Sequence, residues 1–331
     1  MTVTWGILST ARVNSLVLAA AAESDRAEVI AVASRDSARA EAYARDHRIE
    51  RPYGSYDKLL EDPDVEAVYI SLPNSLHVEW TLRALDAGKH VLCEKPLSRH
   101  SGDVARVFDV AEPSGLVLSE GFMWRHHPQT GKLAELLTEG AIGRLRLVRA
   151  SFSFQLAAVH GADDARFRPD LDGGSLMDVG CYCVNAIRFV AGEPERVQAE
   201  QVVGASGVDV SFAATLRLPG DILAHFDCGF ILPFRDELEL VGDEGSLHVD
   251  DPWHVHSPGI DLRRDGNVEK IPVEPADSYR LELENVGAAI RGEEPLLLGR
   301  ADALGQARTI EALYRSAERA GPVSLDDWSA A

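Results

Sequence analysis

The chain has 331 residues, long enough for two domains with separate hydrophobic cores. Hydrophobic residues make up 45% and charged residues 26%, the balance of a globular protein. Lys and Arg total 33 against 53 Asp and Glu, and the net charge of −20 repels phosphate backbones and anionic headgroups, which argues against nucleic-acid and membrane partners.

The first third alternates short apolar runs with helical patterns. Val3–Leu8 reads as a strand and Val13–Ala22 as a helix. Glu28–Ala33 is rich in β-formers, and the Ala-rich Ser37–Asp46 is helical. Val65–Leu72 reads as a buried strand, and Leu76–Ala87 as an amphipathic helix stopped by Gly88. His90–Cys93 and Leu116–Ser119 are further strands, with a helix over Ser101–Ala111 between them. This alternation predicts right-handed crossovers and a parallel sheet. A helix follows at Gln129–Glu139, a long strand at Arg144–Gln155 and a helix at Gly173–Val190. Arg196–Val255 is nearly all strand-like, with turn signals at Pro219-Gly220 and Gly242–Gly245, and helices at Tyr279–Arg291 and Ala301–Ala320 complete the pattern. The expected fold class is α/β: a Rossmann dinucleotide-binding domain over 1–122, then an α+β domain over 123–331 with a large, mostly antiparallel open sheet. No apolar stretch reaches the roughly 20 residues that span a bilayer. The opening MTVTWGIL lacks a basic segment, and Cys93, Cys181, Cys183 and Cys228 look like reduced thiols. A cytoplasmic protein is expected.

Parallel sheets bind ligands beyond the carboxyl ends of their strands. The first such turn runs from Gly6 through Ser9, Thr10, Ala11 and Arg12, with Ser9, Ala11 and Asn14 where glycines would let a pyrophosphate approach. The second strand ends at Ser34-Arg35-Asp36. Ser34 stands where an acid would accept from the ribose hydroxyls of NAD, and Arg35 can bond a 2′-phosphate, so NADP is the expected cofactor, with NAD the alternative. Arg35 also reads as a solvated residue at a helix start, with Asp36 as its N-cap.

Tyr69-Ile70-Ser71-Leu72-Pro73-Asn74-Ser75-Leu76-His77, then Glu94-Lys95-Pro96 and Gly173-Gly174-Ser175-Leu176-Met177-Asp178-Val179-Gly180-Cys181-Tyr182, resemble in this order the Gfo/Idh/MocA oxidoreductase family. Tyr182, where inositol dehydrogenase-like members commonly have His, resembles the branch containing glucose-fructose oxidoreductase, dimeric dihydrodiol dehydrogenase and NADP-dependent xylose dehydrogenases. The resemblance implies an NADP-dependent sugar dehydrogenase that moves a hydride between the nicotinamide and a sugar or polyol carbon. A ketosugar reductase, a dihydrodiol dehydrogenase-like enzyme and a non-catalytic cofactor-binding sensor are the alternatives. It implies cofactor contacts from Leu72, Pro73, Asn74, His77, Glu94 and Lys95, and substrate contacts from Trp124 and Arg125. It further implies a homodimer or homotetramer through the C-terminal sheet, whose uncovered face is expected to be apolar.

Hydride transfer at a carbinol carbon needs a positioned acid or base. Asp178 and Tyr182 are four residues apart on the expected helix and share one face, with Asn185 beside them. Tyr182 is assigned as acid/base. Lys95, whose ammonium would favour the phenolate, assists it, and Asp178 accepts a substrate hydroxyl. Arg166 and Arg168 precede that helix and can reach substrate, though surface charge is the plainer role for both. His254 and His256 share one side of the chain near Asp250 and Asp251, but two ligands do not complete a metal site, and none is expected.

Overall fold

The computed structural model describes residues 1–325. They divide into two compact units, one comprising 1–98, 102–126 and 277–304, the other 99–101, 127–276 and 305–325.

The first unit is built on six strands: β1 (Val3–Leu8), β2 (Ala27–Ala33), β3 (Arg51–Tyr53), β4 (Ala67–Ile70), β5 (His90–Glu94) and β6 (Leu118–Gly121). They pair in parallel in the order β3-β2-β1-β4-β5-β6, so strand order reverses between β1 and β4. All four residues of β4 and five of the six in β1 are buried, as strands covered on both faces require. The connecting helices are α1 (Asn14–Ala22), α2 (Ser37–His47), the short α3 (Tyr56–Leu60), α4 (His77–Asp86) and α5 (Ser101–Ala111). Gly88, at φ +74°, turns the chain out of α4 into β5. Residues 277–304 return to this unit. There Leu283 and Val286 join Val3, Trp5, Val17 and Tyr69 in one core cluster.

The second unit carries α6 (Pro128–Thr138), β7 (Leu145–Gln155), α7 (Leu156–His160), a π-helical turn at Leu176–Gly180 and α8 (Cys181–Ala191). Then come β8 (Arg196–Val203), β9 (Asp209–Leu218), β10 (Ile222–Gly229), β11 (Ile231–Gly242), β12 (Ser246–Val249), β13 (Gly259–Arg264) and β14 (Asn267–Pro272). Helix α9 (Ser278–Ile290) lies in the first unit, and α10 (Arg300–Arg319) and the short β15 (Val323–Ser324) follow it. Nine strands form one sheet in the order β14-β13-β12-β11-β7-β10-β9-β8-β15, antiparallel except for the parallel pair β7–β10. Val148, Ala150 and Phe152 of β7 and Leu238 and Leu240 of β11 are buried on the face that carries α8.

The opposite face departs from the expected apolar patch. It carries Arg149, Glu239, His225 and Asp227, and its charges pair internally: Arg149 with Glu239 at 3.1 Å, His248 with Glu239 at 2.8 Å, and Arg235 with Asp227. The expected single helix over 173–190 is likewise two structures. Its first turn is wound with the wider π spacing, and only from Cys181 does the α pattern begin.

Candidate functional site

The carboxyl ends of β1, β2, β4 and β5 carry the residues assigned to a dinucleotide. After β1, Ser9 holds φ +143°, a conformation that favours glycine. Its hydroxyl supports this turn, lying 2.7 Å from Ser71 Oγ and accepting from the Ala11 N–H at 3.0 Å, while Ser71 donates to Asn14 Oδ1 at 2.6 Å. The missing glycines are thus replaced by a buried polar network joining β1, β4 and α1. Thr10 and Ala11 are half-buried and Arg12 is exposed. The N-terminus of α1 has no side-chain cap and no acid in its first turn, which suits a phosphate. Gly6 lies inside β1, where a Cβ would meet Leu59 Cδ2 at 2.6 Å, so what it provides is packing room.

At the end of β2, Ser34 is buried and Arg35 is exposed. Asp36 is the N-cap of α2, accepting from Ala38 at 2.8 Å and Arg39 at 3.2 Å. Burial pushes the Tyr56 phenol up, and the positive charges of Arg35 and Arg39 oppose it, so both guanidinium groups stand at this strand end. The donor set therefore fits a 2′-phosphorylated dinucleotide: two cations and no acid where NAD would need one. Arg39 was not singled out from the sequence; its place one helical turn after Arg35 was the available signal.

After β4, Leu72 is buried, and Pro73 and Asn74 are half-buried. His77 is fully buried, its Nδ1 2.9 Å from the Pro96 carbonyl and its Nε2 2.8 Å from the Leu72 carbonyl. The ring thus fastens the loop after β4 to the loop after β5. Glu94 ends β5 and accepts from the Tyr69 hydroxyl, and the Lys95 N–H donates to Glu94 Oε2 at 3.3 Å. Lys95 itself is half-buried and precedes a cis peptide to Pro96, and the Leu97 N–H donates to the buried Glu120 at 2.7 Å. Trp124 and Arg125 lie in a 3-10 turn of the same unit. Trp124 is buried, with the Arg125 guanidinium 5.7 Å from its ring and 3.3 Å from Asp302.

In the second unit the π turn carries Asp178, and Tyr182 follows in the first turn of α8. The turn is anchored at its start by Asp209 of β9, which accepts from the Ser175 hydroxyl at 2.7 Å, the Leu176 N–H at 2.8 Å and the Tyr314 hydroxyl at 2.9 Å. Gly174, at φ +126°, must be glycine twice over, since a Cβ would come within 2.2 Å of Asp209 Oδ1. Asp178 is bound by Arg166 at 3.3 Å, and Arg166 also bonds Asp164 at 3.0 Å. Burial works against the Arg166 charge, but the two carboxylates outweigh it and hold the guanidinium above its ordinary range. Arg166 is thereby part of the Asp178 site, a stronger place than surface charge.

Tyr182 is 5% exposed, its ring 5.6 Å from Phe152, 5.9 Å from Trp253 and 6.4 Å from His254. Asn185 is fully buried, donating to Gln306 at 3.4 Å, and Gln306 also donates to the Cys181 carbonyl at 2.8 Å. Arg168 lies outward, paired with Asp170 at 2.6 Å. Among the described residues no group of three His, Cys, Asp or Glu is arranged to hold a metal ion, and no helix is long and apolar enough to cross a membrane.

Comparison with known proteins bears on both units. Residues 3–122 match the model described as "Oxidoreductase family, NAD-binding Rossmann fold", and residues 130–248 match "GFO/IDH/MocA C-terminal domain". The chain is 39% identical over 326 residues to D-xylose 1-dehydrogenase (NADP(+)) 2 of Haloferax volcanii, covering 97% of this chain and 99% of that protein. A 3-ketoreductase from Actinomadura kijaniata, solved with NADP and TDP-benzene, superposes with a TM-score of 0.89 at 32% identity over 96% of this chain and 98% of that one. An aldose-aldose oxidoreductase from Caulobacter crescentus, solved with glycerol, gives a TM-score of 0.90 at 26% identity, covering 98% of this chain and 100% of its own.

Proposed function

The chain belongs to the GFO/IDH/MocA oxidoreductase family, and from that premise we propose that it is an NADP-dependent sugar dehydrogenase acting on an aldose or related polyol. The observation that carries this reading is the near-full-length likeness to a protein named for NADP-dependent oxidation of D-xylose. Arg35 and Arg39 after a strand without a terminal acid support the choice of NADP.

When bound, the nicotinamide exchanges the hydride with the carbinol carbon. The chain supplies the proton chemistry and the grip on the substrate. Tyr182 takes the hydroxyl proton as the carbinol C–O bond becomes a carbonyl, and returns it in the opposite direction. Lys95, in the Glu94-Lys95-Pro96 motif, is assigned to assist this proton transfer. Asp178, fixed by Arg166, accepts from a neighbouring hydroxyl. Tyr182 sits among Phe152 and Trp253, a water-poor wall against which a sugar ring face can lie.

The 3-ketoreductase likeness supports a second reading, reduction of a ketosugar by the same groups run in reverse. A panel of aldoses with NADP⁺ and of ketosugars with NADPH, followed by nicotinamide absorbance, decides between them. No turnover with any member of either panel would overturn both. A homodimer or homotetramer is proposed through the open face of the nine-stranded sheet, whose charges pair within the chain. A monomeric mass by light scattering at micromolar concentration would count against it. A cytoplasmic location completes the proposal.

A further inference from the structure

We propose that His254 is a substrate-contacting residue that determines specificity, held against the Tyr182 ring by a rigid, strained loop and positioned by Asp236. The inference rests on the reading of Tyr182 as the residue beside the reacting carbon.

The loop joining β12 to β13 is tied down at several points. Asp251 accepts from the Val255 N–H at 2.8 Å and the Ser257 N–H at 3.0 Å. Gln129 of α6 donates to the Asp251 carbonyl at 3.0 Å and accepts from the Gly259 N–H at 2.7 Å. Trp253 is fully buried and donates to the Ser151 carbonyl at 3.3 Å. Within this frame Val255 holds φ +54°, a left-handed conformation that a β-branched residue adopts only when its surroundings impose it. His254 and His256 flank it, their rings stacked 5.7 Å apart and only 6° from parallel.

The His254 ring then lies edge-on to Phe152, with centroids 5.7 Å apart, and 6.4 Å from Tyr182. Asp236 stands behind it on the helix-covered face of β11, its Oδ2 3.9 Å from His254 Nδ1, an ion-pair distance that is too long for a hydrogen bond. The two partners are unlike: the Asp236 side chain is 4% exposed and that of His254 is 34% exposed. Asp236 faces Nδ1, so Nε2 is the ring nitrogen on the side away from the carboxylate, available to meet a hydroxyl.

A histidine kept for structure looks different in this same chain. His77 is fully buried with a carbonyl within 2.9 Å of each ring nitrogen. His254 combines a partly exposed edge, a carboxylate at its back and a strained backbone beneath it. The substrate class this suits is polyhydroxylated: the Tyr182 phenol serves the reacting oxygen, and the imidazole takes a second hydroxyl on the same molecule.

Two measurements test this. In the first, His254→Phe keeps a ring against Tyr182 and Phe152 and removes both nitrogens, while His254→Gln keeps a hydrogen-bonding end. The Phe variant is expected to raise KM for the best sugar of the panel about tenfold, the loss of roughly one hydrogen bond. Its kcat and NADP affinity should stay near wild type, and the Gln variant should recover most of the loss. Asp236→Asn should shift KM in the same direction with kcat retained. The second measurement is independent of turnover: mass spectrometry of diethylpyrocarbonate labelling, with D-xylose as the probe. Saturating sugar should slow acylation of His254 and leave that of His47, exposed at the end of α2, unchanged. Turnover with unaltered KM in His254→Phe would overturn the proposal and leave the sugar dehydrogenase reading standing. A wild-type enzyme inactive on every sugar would end that reading, and the labelling result would then decide the role of His254 alone, protection supporting it and equal labelling refuting it.

Discussion

Removing Arg35 separates the two nicotinamide cofactors. The residue follows the buried Ser34 at the carboxyl end of β2, and its guanidinium shares that corner with Arg39 beside the Tyr56 phenol. A hydrogen bond to a charged group contributes about 1.5–3 kcal/mol, and about 1.4 kcal/mol is a factor of ten in affinity. Arg35 is exposed, so solvent and salt screen it, and the lower end of that range applies. Arg35→Ala should therefore raise the Kd for NADP about tenfold at low salt, and by less as salt is added. NAD has no 2′-phosphate, so its Kd should change by less than about twofold, within the scatter of surface substitutions. Arg39→Ala should act in the same direction. The double variant should lose more than the sum if one guanidinium partly covers for the other. Titration of intrinsic fluorescence with each reduced cofactor reads all four proteins. Equal weakening of NAD and NADP, or no change in either, would refute the assignment of this corner to the phosphate.

Tyr182→Phe preserves the contacts with Phe152 and Trp253 and should lower turnover by about 10²–10⁴-fold while leaving NADP affinity and melting temperature nearly unchanged. Lys95→Ala should damage kcat comparably and the double variant little further, because groups that act as a unit are not additive; near-normal turnover in Tyr182→Phe would mean that the phenol only packs. Asp178→Asn should chiefly raise KM, and Arg166→Gln should do so in the same direction, as both unmake one ion pair. His126 gives the pH prediction: burial, helped by Arg125, pushes its imidazole down to about 4. Above about pH 6.5 both folded and unfolded chains hold it neutral. As pH falls through that value the unfolded chain takes the proton first, so stability declines until about pH 4, by up to about 3 kcal/mol from this group alone. His126→Gln should flatten that part of the stability curve in urea titrations, and an unchanged slope would show that the imidazole is charged in the fold.

Strong periodicity made much of the fold legible. The largely apolar runs of β1 and β4 and the spacing between them pointed to a parallel sheet, and α5 lies where the helical pattern puts it, over Ser101–Ala111. What periodicity missed has physical causes. β3 has three residues, one of them Pro52, and α3 has five, too short for either period to register. The return of residues 277–304 to the first unit depends on where Leu283 and Val286 pack, and an amphipathic pattern says that a helix has a partner without saying which. The charged open face of the large sheet is readable in the sequence, because Arg149, Glu237 and Glu239 alternate with buried neighbours in β7 and β11, whereas sheet coverage alone says nothing of that face's polarity.

The site itself was legible as residue types and obscure as geometry, and the obscure parts coincide with unusual backbone. Ser9 holds a conformation that favours glycine, the chain before Tyr182 is wound as a π turn, and Val255 sits in the left-handed region. Spacing alone does not distinguish 3.6 residues per turn from the wider π spacing over the four residues from Asp178 to Tyr182, so a shared face was inferred without its true angle. Each deviation is over-determined by polar neighbours: Ser71 and the Ala11 N–H for Ser9, Asp209 for the π turn, and Asp251 for Val255. Strain held in place in this way costs stability and persists where position matters more than stability. Local sequence rules therefore fail here beside the residues that the proposed chemistry uses.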